Sequence, residues 1–442
     1  MKAKKMVLTR FAAGLSTALM LAPVWGSSAA PAHVGPDRYQ DIHCGKLLDV
    51  EKKQTLSNQH ILVKNDVIVE LGASVSAPAD AEKIDLSNQV CMPGLMDMHV
   101  HILYDTSKHT IDYSALVNSS ADVTLFGLRN LQSLLNQGFT TIRIPGDGDK
   151  TYATIALKNA INRGEFDGPR MLVAPHLLSP TGGHGDLNSY AADSHLPVTV
   201  NIVDGVDDIR RTLRMEFKYG ADWIKIMASG GVMSQNDDPN VSAYSEEELA
   251  VFVEEAHRHN KKITVHAHGD AGMYAAVKAG VDSVEHGTMM SKRTAKLMAK
   301  KGTYLVPTVY VLDWILEMGK KGAITANNLA KAQLVARMHS NSVKMAYKYG
   351  VKMALGSDPI FPMDQAIREF DAMAKRIPDN WYVLQMGTIN SAEMLGLEKD
   401  IGSLAVGKQA DIIAAPESPI DEMSNIEQVN FVMKGGKVIR QQ

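Results

Sequence analysis

Two patterns of hydrophobic and polar residues divide the chain. Between residues 38 and 93, short runs of alternating and β-branched residues are broken by turn signals: YQDIHCGKLLDV, QHILVKNDVIVELG and AEKIDLSNQVCMPG. Runs of this kind predict β-strands. The C-terminal end returns to the same pattern in IGSLAVGKQADIIAAP and VNFVMKGGKVIRQQ, where a Gly-Gly pair predicts a hairpin. The economical arrangement is one small β domain built from both chain ends.

The middle alternates. Strand-like runs recur at 94–101 (GLMDMHVH), 139–147, 169–175, 222–231, 262–270, 282–287, 303–311 and 351–359. Helical patterns separate most of them. The clearest is YSEEELAVFVEEAHRHNKK, where Ser245 and Glu248 have the spacing of a capping box. Eight β/α repeats behind a β module predict a (β/α)8 TIM barrel carrying a small β-sandwich. A doubly wound sheet is the alternative, but no G-x-G-x-x-G follows the first strand. The expected organisation is a signal peptide over 1–30, β-sandwich over 31–93 and 398–442, and barrel over 94–397.

The leader is expected from its own pattern. MKAKKMVLTR is basic, FAAGLSTALMLAPVW is apolar and uncharged, and GSSAAPA places Ala30 and Ala32 in an A-x-A pattern. This is the layout of a secretory signal peptide, with an uncleaved anchor as the alternative. The mature protein is then exported, to the periplasm in a Gram-negative source, with no membrane contact after cleavage.

Composition changes little else. Of 442 residues, 45% are hydrophobic and 21% charged, which is ordinary for a globular protein. A net charge of −3 gives no reason to expect nucleic acid or anionic membrane as a partner. The 24 Met residues read as adaptable core filling. Cys44 and Cys91 are too few for a Cys-rich zinc site; a disulfide and two buried thiols both fit.

The chemistry gathers where the strands end, which in such a barrel is the catalytic face. His99 and His101 end strand 1, His266 and His268 strand 5, His286 strand 6 and Asp358 strand 8, while Lys225 sits in strand 4. Residues two apart on a strand face the same way, so His99 and His101 can reach one ion. A lone inward His is more often a satisfied core residue. A pair joined by His286 and Asp358 points instead to a divalent metal, zinc first, with manganese, cobalt or iron as alternatives. His266 and His268 cannot be told apart by the pleat. Asp97 shares the inward face of His99 and could orient a ligand or steady the strand. Arg143 could pair with a substrate carboxylate or with a barrel acid.

Lys225 lies between Ile224 and Ile226, where an ammonium is expensive to bury. Either it pairs with a buried carboxylate, or desolvation keeps the amine neutral. A neutral amine can add CO2 and become an anionic carbamate able to bridge two ions. The ligand types around Lys225 favour the second reading.

PGLMDMHVH, WIKIMASGGV, VHAHG, VEHGT and GSDP, in this order, resemble the amidohydrolase superfamily in its branch with a carboxylated lysine, and GSLAVGKQADIIA and GGKV resemble its terminal β domain. The likeness spans nearly the whole mature chain. Within the superfamily it is strongest to imidazolonepropionase-like members of the Xaa-Pro dipeptidase type and to related N-acyl-amino-acid and ochratoxin-hydrolysing amidohydrolases. The resemblance implies two divalent ions, His99 and His101 on the more buried one, His266 and His286 on the second, and the Lys225 carbamate between them. Asp358 then binds the first ion and takes the proton of a hydroxide shared by the two, which attacks the amide. His268 is left as a substrate or supporting group. The implied substrate is a small molecule with a free carboxylate, a dipeptide or an N-acyl amino acid, and the implied assembly is a homo-oligomer to which 323–350 contributes a face.

Other groups are candidates for substrate contact. His184, in SPTGGHGD after strand 3, is expected to act catalytically by polarising a carbonyl or by recognising a carboxylate. Tyr104 and Tyr244 are candidate pocket residues, or packing aromatics. The G-x-S-x-G elbow of serine hydrolases is absent. Competing readings are a one-metal deaminase or imidazolonepropionase, a lactonase- or phosphotriesterase-like hydrolase, and a binding protein on a dead enzyme fold.

Overall fold

The computed structural model describes residues 36–104, 117–149, 151–186, 188, 191, 193 and 201–442. The leader, including Ala30 and Ala32, lies outside the described residues.

The N-terminal end forms β1 (Tyr39–Asp49), β2 (Gln54–Lys64), β3 (Val67–Gly72) and β4 (Glu82–Pro93). The chain then turns at Gly94 into β5 (Leu95–Asp97). A Cβ on Gly94 would lie 2.3 Å from Thr140 Oγ1, so a side chain there would push the two segments apart.

Parallel strands follow: β6 (Phe139–Asp147), β7 (Arg170–Ser179), β9 (Trp223–Met227), β10 (Lys262–Ala267), β11 (Ser283–His286) and β12 (Tyr304–Val306), with the two-residue β8 (Asn201–Ile202) added to β7. Their order is β12-β11-β10-β9-β7-β6-β5. The eighth expected strand, 351–359, has no regular ladder, yet it joins the two ends of this sheet. Ala354 N–H donates to Leu305 O (3.0 Å) and Leu305 N–H to Lys352 O (2.9 Å) on one side. Met98 N–H donates to Leu355 O (2.8 Å) and Asp358 N–H to His99 O (2.7 Å) on the other. Gly356 permits the close passage, since a Cβ there would lie 2.8 Å from His99 Cβ.

Amphipathic helices cover the sheet. The helix Glu246–Arg258 starts at Ser245, whose side chain caps the Glu248 N–H while Glu248 reaches back, as the sequence predicts. Its buried Leu249, Phe252, Val253 and Ala256 follow i, i+3, i+4, i+7 spacing. No helix of the described residues is long and apolar enough to cross a membrane.

The C-terminal end forms β13 (Ile412–Ala415), β14 (Phe431–Lys434) and β15 (Lys437–Gln441). Gly435 and Gly436 have φ of 52° and 70°, the left-handed pair that a tight hairpin requires. Both chain ends join where β13 pairs antiparallel with β4, Cys91 facing Ala414. The order β15-β14-β13-β4-β1-β2-β3 is one continuous hydrogen-bonded sheet among the described residues, in place of the two packed sheets of the expected sandwich. It has its own apolar core, with Ile42, Ile61, Ile84, Ile412 and Phe431. In that core Cys44 and Cys91 form a fully buried disulfide, which resolves the choice left open by the sequence.

Candidate metal centre

Three acceptor groups converge at the end of the first strand. His99 Nε2 and His101 Nε2 are 3.2 Å apart, and Asp358 Oδ1 lies 3.5 and 3.2 Å from them. The other ring nitrogens fix the tautomers. His101 Nδ1 is 2.8 Å from the Gly146 carbonyl, which can only accept, so Nδ1 carries the proton. His99 Nδ1 is 2.7 Å from Glu285 Oε2. Burial raises the Glu285 carboxyl, but Arg143 and His99 outweigh it and hold it well below the usual carboxylate range. Glu285 is therefore an acceptor too, and His99 donates to it from Nδ1. Both Nε2 atoms are left with lone pairs facing each other and a carboxylate. The donor atoms lie within 4.8 Å of one another, so the three groups could hold one metal ion.

Further imidazoles lie beside these three groups. The His286 ring lies 5.2 Å from the His99 ring and 4.6 Å from that of His266, centroid to centroid. His286 Nδ1 is 2.7 Å from Thr308 Oγ1 and 3.8 Å from Asp358 Oδ2. His268 Nδ1 is 3.0 Å from Thr288 Oγ1. Burial lowers the pKa of His266 and His286 well below that of free imidazole, that of His268 to about 3 and that of His99 to about 4. These rings are neutral at pH 7, the form that ligates metal. Burial also lowers His101, but the hydrogen bond and charge of Asp358 more than offset it.

The backbone helps to aim two of these side chains. His286 and Asp358 have φ of 69° and 50°, a left-handed conformation that costs a non-glycine residue about 1–2 kcal/mol. On a regular strand Glu285 and His286 would face opposite ways. The twist at His286 brings both toward His99.

Lys225 is 2% exposed on β9. Among the described residues no hydrogen bond or ion pair holds its ammonium. Burial lowers its pKa to about 8, against the opposing pull of Glu285 and Asp358. All six expected ligands, His99, His101, Lys225, His266, His286 and Asp358, line one cavity of about 180 Å³.

Residues 90–439 match the amidohydrolase family. The chain belongs to that family.

Ochratoxinase from Aspergillus niger is 32% identical over 420 residues, 90% of this amidohydrolase and 86% of the relative. Imidazolonepropionase from Thermoanaerobacter pseudethanolicus is 24% identical over 431 residues, 88% and 92% of the two chains. Among solved structures, a Xaa-Pro dipeptidase with methionine bound in the active site is 33% identical, with a TM-score of 0.85 over 91% of this chain and 100% of that one. A prolidase complexed with N-methylphosphonate-L-proline gives 30%, a TM-score of 0.84, and coverage of 91% and 100%.

The remaining expected residues of this amidohydrolase fall in different places. His184 lines the cavity, its ring 4.4 Å from that of His266 and its Nδ1 2.7 Å from Ser234 Oγ. Tyr104 lines it too. Tyr244 does not: its hydroxyl donates to the Val203 carbonyl at 3.2 Å and its ring packs on Phe252. The packing reading of Tyr244 holds, and the substrate reading is corrected. Arg143 pairs with a barrel acid, Glu285, at 2.6 Å. Asp97 accepts from the N–H groups of His99 and Ser357 at 3.0 Å each, and so ties the first strand to the closing segment. Glu285, Thr308 and Ser234 were not singled out in the sequence. Glu285 had a weak signal, an acid directly before His286 in the short strand run 282–287.

Proposed function

We propose that the protein is an exported metal-dependent hydrolase of amide bonds, acting on Xaa-Pro-type dipeptides or N-acyl amino acids as a homo-oligomer. The observation that carries this is the meeting of His99, His101, Lys225, His266, His286 and Asp358 in one cavity. The prolidase, dipeptidase and ochratoxinase relatives support the choice of an amide substrate. The buried Cys44–Cys91 disulfide supports an oxidising compartment such as the periplasm.

His99, His101 and Asp358 would hold one divalent ion, zinc by the donor set, and His266 and His286 a second. Lys225, carboxylated on its neutral amine, would be shared between them. When bound, the ions acidify a water and polarise the scissile carbonyl. The chain's own residues do the rest. Glu285 and the Gly146 carbonyl keep His99 and His101 in their ligating tautomers. Asp358, beside His99 and His101, accepts the proton of the attacking water and returns it to the leaving nitrogen. Val311, Leu312, Ile315, Val335 and Ile360 give the cavity an apolar wall for a substrate side chain.

The test is a screen of Xaa-Pro dipeptides, other dipeptides and N-acyl amino acids beside lactones and phosphotriesters, with metal analysis on the same sample. Amide turnover that tracks metal content supports the reading. Turnover of lactones or phosphotriesters alone overturns it.

A further inference from the structure

Three segments distant in sequence meet at His184. Asp237 accepts a hydrogen bond at Oδ2 from the Gly231 N–H (2.7 Å) and at Oδ1 from the Lys331 ammonium (2.7 Å). It also accepts from the Ser234 hydroxyl, whose oxygen lies 2.7 and 2.6 Å from the two carboxylate oxygens. Lys331, on the helix Ala326–Tyr349, donates as well to the carbonyls of Gly231 and Ser234 at 3.1 Å each. The Lys331 and Asp237 side chains are 13% and 6% exposed, so water competes little for this network.

The hydrogens can be assigned in turn. A carboxylate only accepts, so the single hydrogen of Ser234 goes to Asp237. The Ser234 oxygen then offers only lone pairs to His184 Nδ1, 2.7 Å away. His184 must donate from Nδ1, and its Nε2 is left bare. Asp237 Oδ2, 3.7 Å from Nδ1, adds to the same preference. The ring is also held in place: a Cβ on Gly231 would lie 2.1 Å from its Cε1, and the His266 ring is 4.4 Å away.

We propose that Asp237, acting through Ser234, is a positioning residue that fixes His184 as the Nδ1–H tautomer, so that Nε2 is a hydrogen-bond acceptor for an N–H group of the substrate. The inference rests on the reading of the cavity as an amide-hydrolysing site. It reverses the role expected from sequence, where His184 polarises a carbonyl or binds a carboxylate, both of which need a donor. It also gives a preference: a free α-amine or a secondary amide supplies the N–H that this acceptor takes.

Asp237→Asn is the informative variant. An Asn at 237 can donate to Ser234 Oγ, which frees the hydroxyl to donate to His184 Nδ1 and moves the ring proton to Nε2. The measurements are kcat/KM, metal per chain and the ¹⁵N shifts of the His184 ring, assigned by their loss in His184→Ala. Asp237→Asn is expected to lower kcat/KM by about 10- to 100-fold at unchanged metal content. It should switch the ¹⁵N pattern to Nε2–H and have no further effect in the His184→Ala background. Lost metal, an unswitched tautomer or a full additional loss in the double variant would overturn the proposal and make Asp237 a clamp of its loop. The tautomer switch is read without substrate. A switch in a protein that hydrolyses no amide would therefore uphold the relay and reject only the amide reading.

Discussion

His99 donates to Glu285 across 2.7 Å, and neither side chain is exposed by more than 1%. The same carboxylate holds the fully buried Arg143 at 2.6 Å. One buried acid thus orients a candidate ligand and pairs with the guanidinium of Arg143, the largest of the fully buried side chains among the described residues.

Replacement of Glu285 by Gln tests both roles at once. Arg143 would lose its charged partner, and breaking a buried pair in this way costs about 3–5 kcal/mol. His99 would lose an ionised acceptor, with metal affinity falling about 10- to 100-fold. Urea unfolding and competition with a chelator measure the two losses. Unchanged values in both would show that Glu285 supports neither group.

Lys225 gives a pH dependence with a definite sign. Burial lowers its pKa to about 8, so the reactive neutral amine is scarce below that value and dominant above it. Between about pH 6.5 and 8.5 the neutral fraction rises about 25-fold. Metal-depleted protein given zinc at constant dissolved CO2 should regain activity faster at the higher pH by a factor of that order. Recovery at equal rates, or without any CO2, would contradict a carbamate on this residue.

The disulfide makes a prediction about stability alone. Cys44 and Cys91 close a loop of 47 residues in the core of the chain-end sheet, and neither lines the cavity. Removing such a cross-link by Cys44→Ala/Cys91→Ala should cost about 4 kcal/mol in urea unfolding. Turnover per folded molecule should be unchanged. A fall in kcat with no loss of stability would contradict this division between the chain-end sheet and the site.

The parts that were legible in the sequence obey local rules. His99 and His101, and His266 and His268, come together as the period-two spacing anticipates, although β5 ends at Asp97 and β10 at Ala267. The Gly435-Gly436 hairpin and the Ser245/Glu248 capping box are local too. Glu285 was missed because its partners lie 142 and 186 positions away and because the left-handed His286 breaks the alternation. Asp237 was missed because its partners come from the loop itself and from the helix carrying Lys331, and no periodicity connects them. Tyr244 stayed open because an aromatic before a helix looks the same in sequence whether its hydroxyl meets a substrate or the Val203 carbonyl. The closing segment 351–359 read as a strand for its apolar run, but its hydrogen bonds are split between two neighbours and form no regular ladder.

Metal per chain is the direct test of a two-ion site assembled around Lys225. The protein purified with zinc and bicarbonate should hold two equivalents, and Lys225→Ala should hold one or none, with turnover lost. Two equivalents and unchanged turnover in Lys225→Ala would rule out a site built on Lys225.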